Sequence, residues 1–397
     1  MVEIRRVFLL PLMLMLLTAL TGQQALAASA RPRPAPGPRF NHPGVLESRS
    51  QLAFTRAQVA AGAEPWKSAF QEMRESRYGS LTYKSHPRAN VQCPFDAKPG
   101  HGCTEEREDA IAAYTQALMW NVTGERKHAE KALKIMDGWS GKLKKHTDDN
   151  APLQTAWSGA SWAKAGELMK HTYADWPKQR RFDRMLREVY LPMVQRKAPQ
   201  NGNWDLAMTD AAIGIAVYLD DRKAFDTAIG RFRARVPAYF YLASDGKQPV
   251  EPPDTGVHGR AQLVNFWFKQ PRFVSGLGQE TCRNFMHIGY AIAATSHIAE
   301  TAWHQGVDLY GEQRDRLRAA MEFHSKYQLG AKAPKWLCGG KVTRNMGDDS
   351  EVGYHHLADR LGLPMPQTAK LIARQRPAGS DDLFVSWETL THAGAAV

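Results

Sequence analysis

The sequence predicts an all-α fold built from antiparallel helix pairs, either an α-solenoid or an α/α toroid. Apolar residues recur with helical spacing along most of the 397-residue chain, and strand-like alternation is scarce. The predicted helices are joined in pairs by connections as short as Asp220-Asp221, which makes the two helices of a pair antiparallel neighbours. Hairpins that repeat at intervals of roughly 35–50 residues are typical of these helical architectures.

Two helices precede the pairs, at Val45–Ala60 and Trp66–Arg77. The four predicted pairs are Glu105–Thr123 with Glu125–Gly138, Thr155–Ala174 with Gln179–Lys197, Asp205–Leu219 with Arg222–Val236, and Thr281–Gly306 with Leu309–Leu329. Between the last two pairs, Leu263–Phe268 fits either a short strand or a helix. No single repeat motif recurs, so the pairs are structural units rather than sequence duplications.

The first 27 residues have the pattern of a secretory signal peptide. Arg5 and Arg6 form a charged start, Val7–Leu17 is an apolar run too short to span a membrane, and Ala25-Leu26-Ala27 offers a small-residue cleavage site. We predict cleavage after Ala27. The mature protein is therefore expected to be secreted, extracellular or periplasmic, without a membrane association after cleavage.

The remaining chain is predicted to contain a proline-rich linker over residues 28–41 and one globular domain over residues 42–397. Its four cysteines are an even number in an oxidising compartment, which favours disulfides. Cys93 and Cys103 bracket a short Pro/Gly/His loop, so we pair them and leave Cys282 with Cys338.

The formal net charge is +12, and +11 once Glu3, Arg5 and Arg6 leave with the signal peptide. In a secreted protein, such a charge favours a polyanionic partner: an acidic polysaccharide, nucleic acid or an anionic cell wall. Nucleic acid is the weakest of the three, because the sequence has no basic tail, zinc finger or aromatic RNA-binding motif. We expect no nucleic-acid partner and a monomer.

No metal or other cofactor is predicted. The sequence contains neither a Cys-x-x-Cys motif nor a His-x-x-x-His cluster with ligand spacing. The adjacent His355 and His356 would point in different directions on a helix.

Two loops combine basic and aromatic residues. Tyr78–Cys103 has neither helical nor strand periodicity, and a loop of this length is usually functional or disordered. Its Tyr83, Lys84 and Arg88 suggest a lid over an anionic ligand. The second loop, Lys335–Ser350, carries Lys341 and Arg344, and we expect these five side chains to contact the ligand.

The stretch Gln279–Tyr290 carries the most chemistry. On a helix, Arg283, His287 and Tyr290 fall at i, i+4 and i+7 and share one face. The apolar residues that follow suggest that this polar face lines a cavity. The alternative is a core histidine and tyrosine whose polar atoms bond to backbone carbonyls.

Several segments together resemble the alginate-lyase superfamily of secreted polysaccharide lyases. They are residues 201–210, which begin Asn-Gly-Asn-Trp-Asp, then His258, Gln279-Glu280 with Arg283, His287 and Tyr290, and finally residues 306–310 and 387–392. The resemblance spans roughly residues 42–392 and keeps its order. It implies an α/α toroid (an incomplete barrel) with long active-site loops, and a β-eliminating lyase that leaves 4,5-unsaturated uronate ends.

The resemblance also implies roles for individual residues. A lyase removes the proton beside a uronate carboxylate, so hydrogen-bond donors must be fixed where charge develops. Asn203 and His258 are expected to supply donors, and Arg283 to orient the carboxylate or the phenolate. Tyr290 is the expected base and then acid, its pKa lowered by Arg283.

Two further expectations concern the sugar. His287 would orient the catalytic groups or contact the substrate, and Trp204 would stack on a sugar ring. Where alginate lyases of the best-known branch carry an Asn-His pair, this chain has Asn203-Trp204, which looks more like enzymes acting on glucuronan or mixed uronans. The predicted substrate is thus glucuronan or a mannuronate-type alginate.

Two other functions also fit the sequence. A glycoside hydrolase on a similar toroid would need two carboxylates about 5–9.5 Å apart, for which Asp210, Glu251, Asp254 and Glu280 are candidates without an obvious pairing. A non-catalytic protein that binds polyanions or cell wall would keep the basic cleft without needing Tyr290.

Overall fold

The computed structural model describes residues 39–94 and 101–394. The predicted signal peptide, and the linker as far as residue 38, lie outside the described residues. Within them the protein is all-α, as predicted, and apart from isolated bridges the β-structure is one parallel pair of three-residue strands, β1 (Asn90–Gln92) and β2 (Lys145–Thr147). No helix of the described ranges is both long and apolar enough to cross a lipid bilayer.

The described part of the chain forms fifteen α-helices. In chain order they are α1 (Arg49–Ala60), α2 (Trp66–Glu75), α3 (Cys103–Thr123), α4 (Arg126–Ser140), α5 (Ala151–Thr172), α6 (Gln179–Met185), α7 (Leu191–Val194), α8 (Gly202–Tyr218), α9 (Arg222–Tyr239), α10 (Gly259–Phe266), α11 (Phe285–His304), α12 (Leu309–Gln328), α13 (Glu351–Tyr354), α14 (Pro366–Gln375) and α15 (Glu388–His392).

The helices form two layers of a toroid. The inner helices α3, α5, α8 and α11 pack side by side, and α13, α15 and α1 continue the ring from α11 back to α3. The outer helices α4, α9 and α12 each pack against the inner helix that precedes them in the chain. The predicted helix pairs α3–α4, α8–α9 and α11–α12 are thus confirmed, and the toroid is the arrangement that they adopt.

Burial distinguishes the two layers. All residues of the inner helix α8 are buried, whereas the outer helix α4 buries one face and exposes the other. Small residues let the inner helices approach closely: a Cβ added at Gly214 of α8 would lie 3.1 Å from Ala163 of α5. Tight packing of the inner ring fixes the positions of the side chains that line it.

Helix boundaries differ from the sequence prediction at the two segments that matter most. Helix α11 begins at Phe285 rather than Thr281, because Asn284 caps it by accepting a hydrogen bond from the His287 amide. Arg283 therefore lies in the preceding turn, and the prediction that it shares a helix face with His287 and Tyr290 is wrong.

Helix α8 begins at Gly202, with Asn201 at the N-cap position, rather than at the predicted Asp205. Asp205 instead forms ion pairs with Arg231 and Arg235 of α9. Two other segments also differ. The segment predicted as one helix over Gln179–Lys197 is α6 and α7 separated by a π-helical turn, and Leu263–Phe268 is mostly the end of α10.

Both predicted disulfides are present. Cys93 bonds to Cys103, and Cys282 bonds to Cys338. The second bridge joins the turn before α11 to the loop that follows α12. It therefore anchors the segment that carries Arg283.

Candidate active site

A single buried carboxylate, Glu280, joins three parts of the fold. Its Oε2 accepts hydrogen bonds from the side-chain amide of Asn203 at 2.5 Å and from the hydroxyl of Tyr239 at 2.8 Å. Its Oε1 accepts a hydrogen bond from Arg283 Nη1 at 2.6 Å. Glu280 thus connects the first turn of α8, the end of α9 and the turn before α11.

The Asn-Gly-Asn motif has a steric explanation at this junction. A Cβ at Gly202 would lie 1.4 Å from a ring atom of Tyr239, so only glycine lets the tyrosine ring pack against the first turn of α8. The Gly202 amide also donates to Gln279 Oε1 at 3.2 Å. These contacts bring Asn203 against Glu280.

Arg283 is the partly exposed member of this cluster. Its side chain is 34% exposed, whereas that of Glu280 is fully buried. Within the described residues the guanidinium makes no hydrogen bond other than the one to Glu280. Its remaining N–H groups can therefore bind an anion that enters from the solvent side.

His287 lies in the first turn of α11, where the side chain of Asn284 fixes the orientation of its imidazole. Its Nδ1 is 2.7 Å from Asn284 Oδ1, an oxygen that can only accept, so Nδ1 carries the hydrogen and Nε2 presents a lone pair. Burial, and then the positive charge of Arg283, lower the pKa of His287 to about 4. The imidazole is therefore neutral at pH 7 and can accept a proton.

Tyr290 lies next to His287 on the same helix. Its ring makes edge contacts with the rings of His287 and Phe384, at centroid distances of 6.0 and 6.1 Å. Burial, followed by the charges of Asp381 and Asp349, raises the pKa of Tyr290 above its ordinary value, and the cation that opposes this rise is Arg107. The prediction that Arg283 lowers the pKa of Tyr290 is wrong, because Arg283 lies in the turn before the helix and pairs with Glu280.

Three residues that sequence reasoning missed lie on the inner helices α3 and α5. Arg107 donates a hydrogen bond to Gln154 Oε1 at 2.8 Å, and its guanidinium lies over the ring of Trp157, 5.5 Å from the centroid. Arg107 forms no ion pair within the described ranges. No local pattern marks these residues, since they become neighbours only when α3 packs against α5.

Two aspartates also escaped the sequence analysis. The Asp349 carboxylate occupies the space beside Gly289, where an added Cβ would lie 1.9 Å from Oδ2. Burial and the neighbouring carboxylates raise the pKa of Asp349 well above its ordinary value. Burial also raises the pKa of Asp381 to about 6. The surroundings of Tyr290 therefore include two buried acids, Asp349 and Asp381, whose raised pKa values favour the protonated form.

The structure does not bring two of the predicted residues into this cluster. His258 lies at the N-terminus of α10 with 77% of its side chain exposed, and its Nδ1 is 3.0 Å from Glu251. Trp204 is in α8 and only 6% exposed. A ring buried to this extent offers little surface for stacking on a sugar, so the expected platform is not found in this conformation.

The predicted loop residues divide into two groups. Tyr83 donates its hydroxyl to Asp109 at 2.7 Å, and Arg88 pairs with Glu105 at 2.8 Å, so both hold the first loop against α3. Arg344 donates to the carbonyl oxygens of residues 327 and 331 and holds the second loop in the same way. Lys84 and Lys341 are exposed, and their ammonium groups have no partner in the described part of the chain.

The cluster offers no evident metal site. Among the described residues, no group of three histidine, cysteine or carboxylate ligands lies close enough here to share an ion. The arrangement instead provides a neutral imidazole, a protonated phenol, two arginines and a fixed amide, which together suit proton transfer beside an anion.

Comparison with known proteins gives a consistent result. The family model described as alginate lyase matches residues 88–336. No curated protein matches the chain. Alginate lyase A1-III from Sphingomonas species A1 superposes with a TM-score of 0.59 at 17% identity, covering 86% of this chain and 94% of that one. An alginate lyase from Bacteroides ovatus superposes with a TM-score of 0.54 at 14% identity, covering 89% and 99%. At such low identity the superpositions show a shared fold.

Proposed function

Since the chain belongs to the alginate lyase family and is a polysaccharide lyase, we propose that it cleaves a uronate-containing polysaccharide, glucuronan or a mannuronate-type alginate, by β-elimination. The observation that carries this proposal is the Glu280 cluster, which holds the Asn203 amide and the Arg283 guanidinium on one carboxylate, with Arg283 close enough to His287 to lower its pKa. The products would carry 4,5-unsaturated uronate ends.

Asn203 and Arg283 bind the uronate carboxylate in this proposal. Removal of the neighbouring C–H proton puts negative charge on that carboxylate, and donors that are fixed in advance stabilise it. One hydrogen of the Asn203 amide goes to Glu280, which leaves the other for the substrate. Because Arg283 neutralises Glu280, the buried carboxylate does not repel the substrate anion.

His287 Nε2 is the proton acceptor and the Tyr290 hydroxyl is the proton donor. The neutral imidazole can take the proton from the sugar carbon, and the protonated phenol can give its proton to the leaving glycosidic oxygen. A bound carboxylate would offset the charge of Arg283, which raises the basicity of His287. The same negative charge would keep Tyr290 protonated, so substrate binding strengthens both roles.

Arg107 and Trp157 extend the proposed binding site along the inner ring. An arginine without an ion-pair partner can bind a second uronate carboxylate, and the half-buried indole beside it can contact a sugar face. The net charge of +12 and the exposed Lys84 and Lys341 favour the approach of an anionic polymer. Secretion by way of residues 1–27, and action as a monomer, complete the proposal.

The hydrolase alternative fits the cluster less well. Glu280 is occupied by three side-chain donors, Asp210 pairs with the buried His297, and Glu251 pairs with His258. None of these carboxylates is left free to act as a pair across a glycosidic bond.

Ultraviolet absorbance of the unsaturated uronate tests the proposal. Purified protein would be incubated with polymannuronate, polyguluronate, glucuronan, hyaluronan and heparin-type polymers. We expect absorbance to rise with glucuronan or polymannuronate. New reducing ends without absorbance would indicate hydrolysis, and substrate binding without either signal would indicate a binding protein.

A further inference from the structure

A second cluster of ionisable side chains lies outside the site described above. His42 lies in the segment that precedes α1, and Glu167 and His171 lie one turn apart near the end of α5. One ligand atom from each of the three residues lies within 4.8 Å of the others. At 1.5 Å per residue, Glu167 is about 20 Å along α5 from Gln154, the partner of Arg107, so this cluster is separate from the Arg107 part of the proposed binding site.

Two potential ligand atoms of this cluster, one from Glu167 and one from His171, have no hydrogen-bond partner. Glu167 Oε2 and His171 Nε2 are 3.7 Å apart, and both are buried without a hydrogen-bond partner. Two ligand atoms on a tetrahedral zinc ion, each about 2.0–2.1 Å from the metal, are separated by roughly 3.3 Å. The spacing of this pair therefore needs only a small adjustment for both atoms to bind one metal ion.

The other side of the cluster has the hydrogen bonds that orient metal ligands. His42 Nδ1 is 2.7 Å from Glu167 Oε1, and His42 Nε2 is 3.0 Å from Asp220 Oδ1. The Gly44 amide donates to Glu167 Oε1 at 2.9 Å. A carboxylate behind a histidine and a donor behind a carboxylate are the usual supports of a zinc site.

We propose that His42, Glu167 and His171 bind a zinc ion, with Asp220 orienting His42. Two imidazoles and one carboxylate suit zinc, whereas calcium and magnesium prefer oxygen ligands. The proton on His42 Nδ1 leaves to solvent when the metal replaces it, and water fills the fourth position. The rings of His42 and His171 are stacked at 4.1 Å and nearly parallel, so His42 must rotate for both lone pairs to reach one ion.

The site would cross-link distant parts of the chain. The metal would fasten the segment before α1 to α5, while Asp220 belongs to the connection between α8 and α9. We assign the metal a structural role, because it connects separate segments of the chain. Sequence spacing predicted no metal site, since His42 and Glu167 are 125 positions apart and only the Glu167–His171 pair has helical ligand spacing.

Isothermal titration of zinc chloride into untagged, chelator-treated protein tests the proposal. We expect one zinc ion per chain and a rise in melting temperature on binding. His171→Ala should abolish binding, and Asp220→Asn should weaken it by about 10–100-fold. His86→Ala, at an exposed histidine outside the cluster, is the matched control and should bind zinc like the unaltered protein.

Cobalt(II) supplies a second measurement that does not depend on stability. Tetrahedral coordination gives a strong visible absorption band, which should appear with the unaltered protein and with His86→Ala and be absent with His171→Ala. Circular dichroism verifies that the variants are folded. An absence of zinc binding by the folded protein, or equal affinity in His171→Ala, would overturn the proposal. Neither result bears on the lyase activity, which is assayed separately by product absorbance.

Discussion

The side-chain amide of Asn203 donates a hydrogen bond of 2.5 Å to the carboxylate of Glu280, 77 positions further along the chain. The same carboxylate accepts a hydrogen bond from Arg283. One buried group therefore sets the positions of both proposed carboxylate-binding residues.

Glu280→Gln should impair both stability and turnover. Loss of the charge weakens the hydrogen bonds to Asn203 and Arg283, and hydrogen bonds to charged groups contribute about 1.5–3 kcal/mol each to the free energy of unfolding. Displaced donors should lower kcat by about 10²-fold. Glu312→Gln removes an exposed pair with Arg233 and is the control, with a cost of about 0–1 kcal/mol. Denaturant unfolding and steady-state kinetics measure the two effects, and an unchanged kcat would contradict the positioning role.

Tyr290→Phe should leave the protein folded and nearly inactive. The change removes one oxygen and keeps the ring that packs against Phe384. Loss of the proton donor should lower lyase turnover by about 10²–10⁴-fold. His287→Gln should have an effect of similar size. If folded Tyr290→Phe retains more than about a tenth of the activity, Tyr290 is not the acid.

The pH dependence of kcat/KM should report His287. Its pKa is lowered to about 4 by burial and by Arg283, and the base must be unprotonated, so activity should rise with pH through about 4. Arg283→Gln removes the positive charge, which should raise the pKa of His287 and move this acidic limb to higher pH. Arg283→Lys keeps the charge and should leave the limb near its original position. A limb that does not move in Arg283→Gln would show that another group is titrating.

Arg107→Gln should weaken substrate binding more than it slows the chemical step. The guanidinium lies beside Trp157 without an ion-pair partner, and a charged hydrogen bond of about 1.5–3 kcal/mol corresponds to roughly 10–100-fold in KM. Arg88→Gln is the control, because Arg88 pairs with Glu105 on the surface. Equal KM values for the two variants would remove Arg107 from the binding site.

The Cys282–Cys338 disulfide should stabilise the protein more than the Cys93–Cys103 disulfide does. The Cys282–Cys338 bridge joins residues 56 positions apart in the sequence, whereas the Cys93–Cys103 bridge joins residues 10 positions apart. Chain entropy predicts stabilisation of about 4 and about 3 kcal/mol, respectively. Paired serine variants and denaturant unfolding test this order. Only the Cys282→Ser/Cys338→Ser variant should also lose activity, because it releases the turn that carries Arg283.

The sequence by itself determined the fold class, the helix pairs and both disulfides. Helical apolar periodicity is a local property, and short connections leave antiparallel packing as the simple solution, so these features can be derived without coordinates. The spacing of four cysteines was likewise sufficient. Arg283, His287 and Tyr290 could be selected because they lie within eight positions of one another.

The tertiary structure alone decided what surrounds those residues. Capping by Asn284 moved the start of α11 past Arg283, and burial with nearby carboxylates raised the pKa of Tyr290 instead of lowering it. Glu280 meets Asn203, and Arg107 meets Trp157, only because the inner helices pack into a ring. The sign of a pKa shift depends on burial and on charges brought together from distant parts of the chain, and neither can be obtained from local spacing.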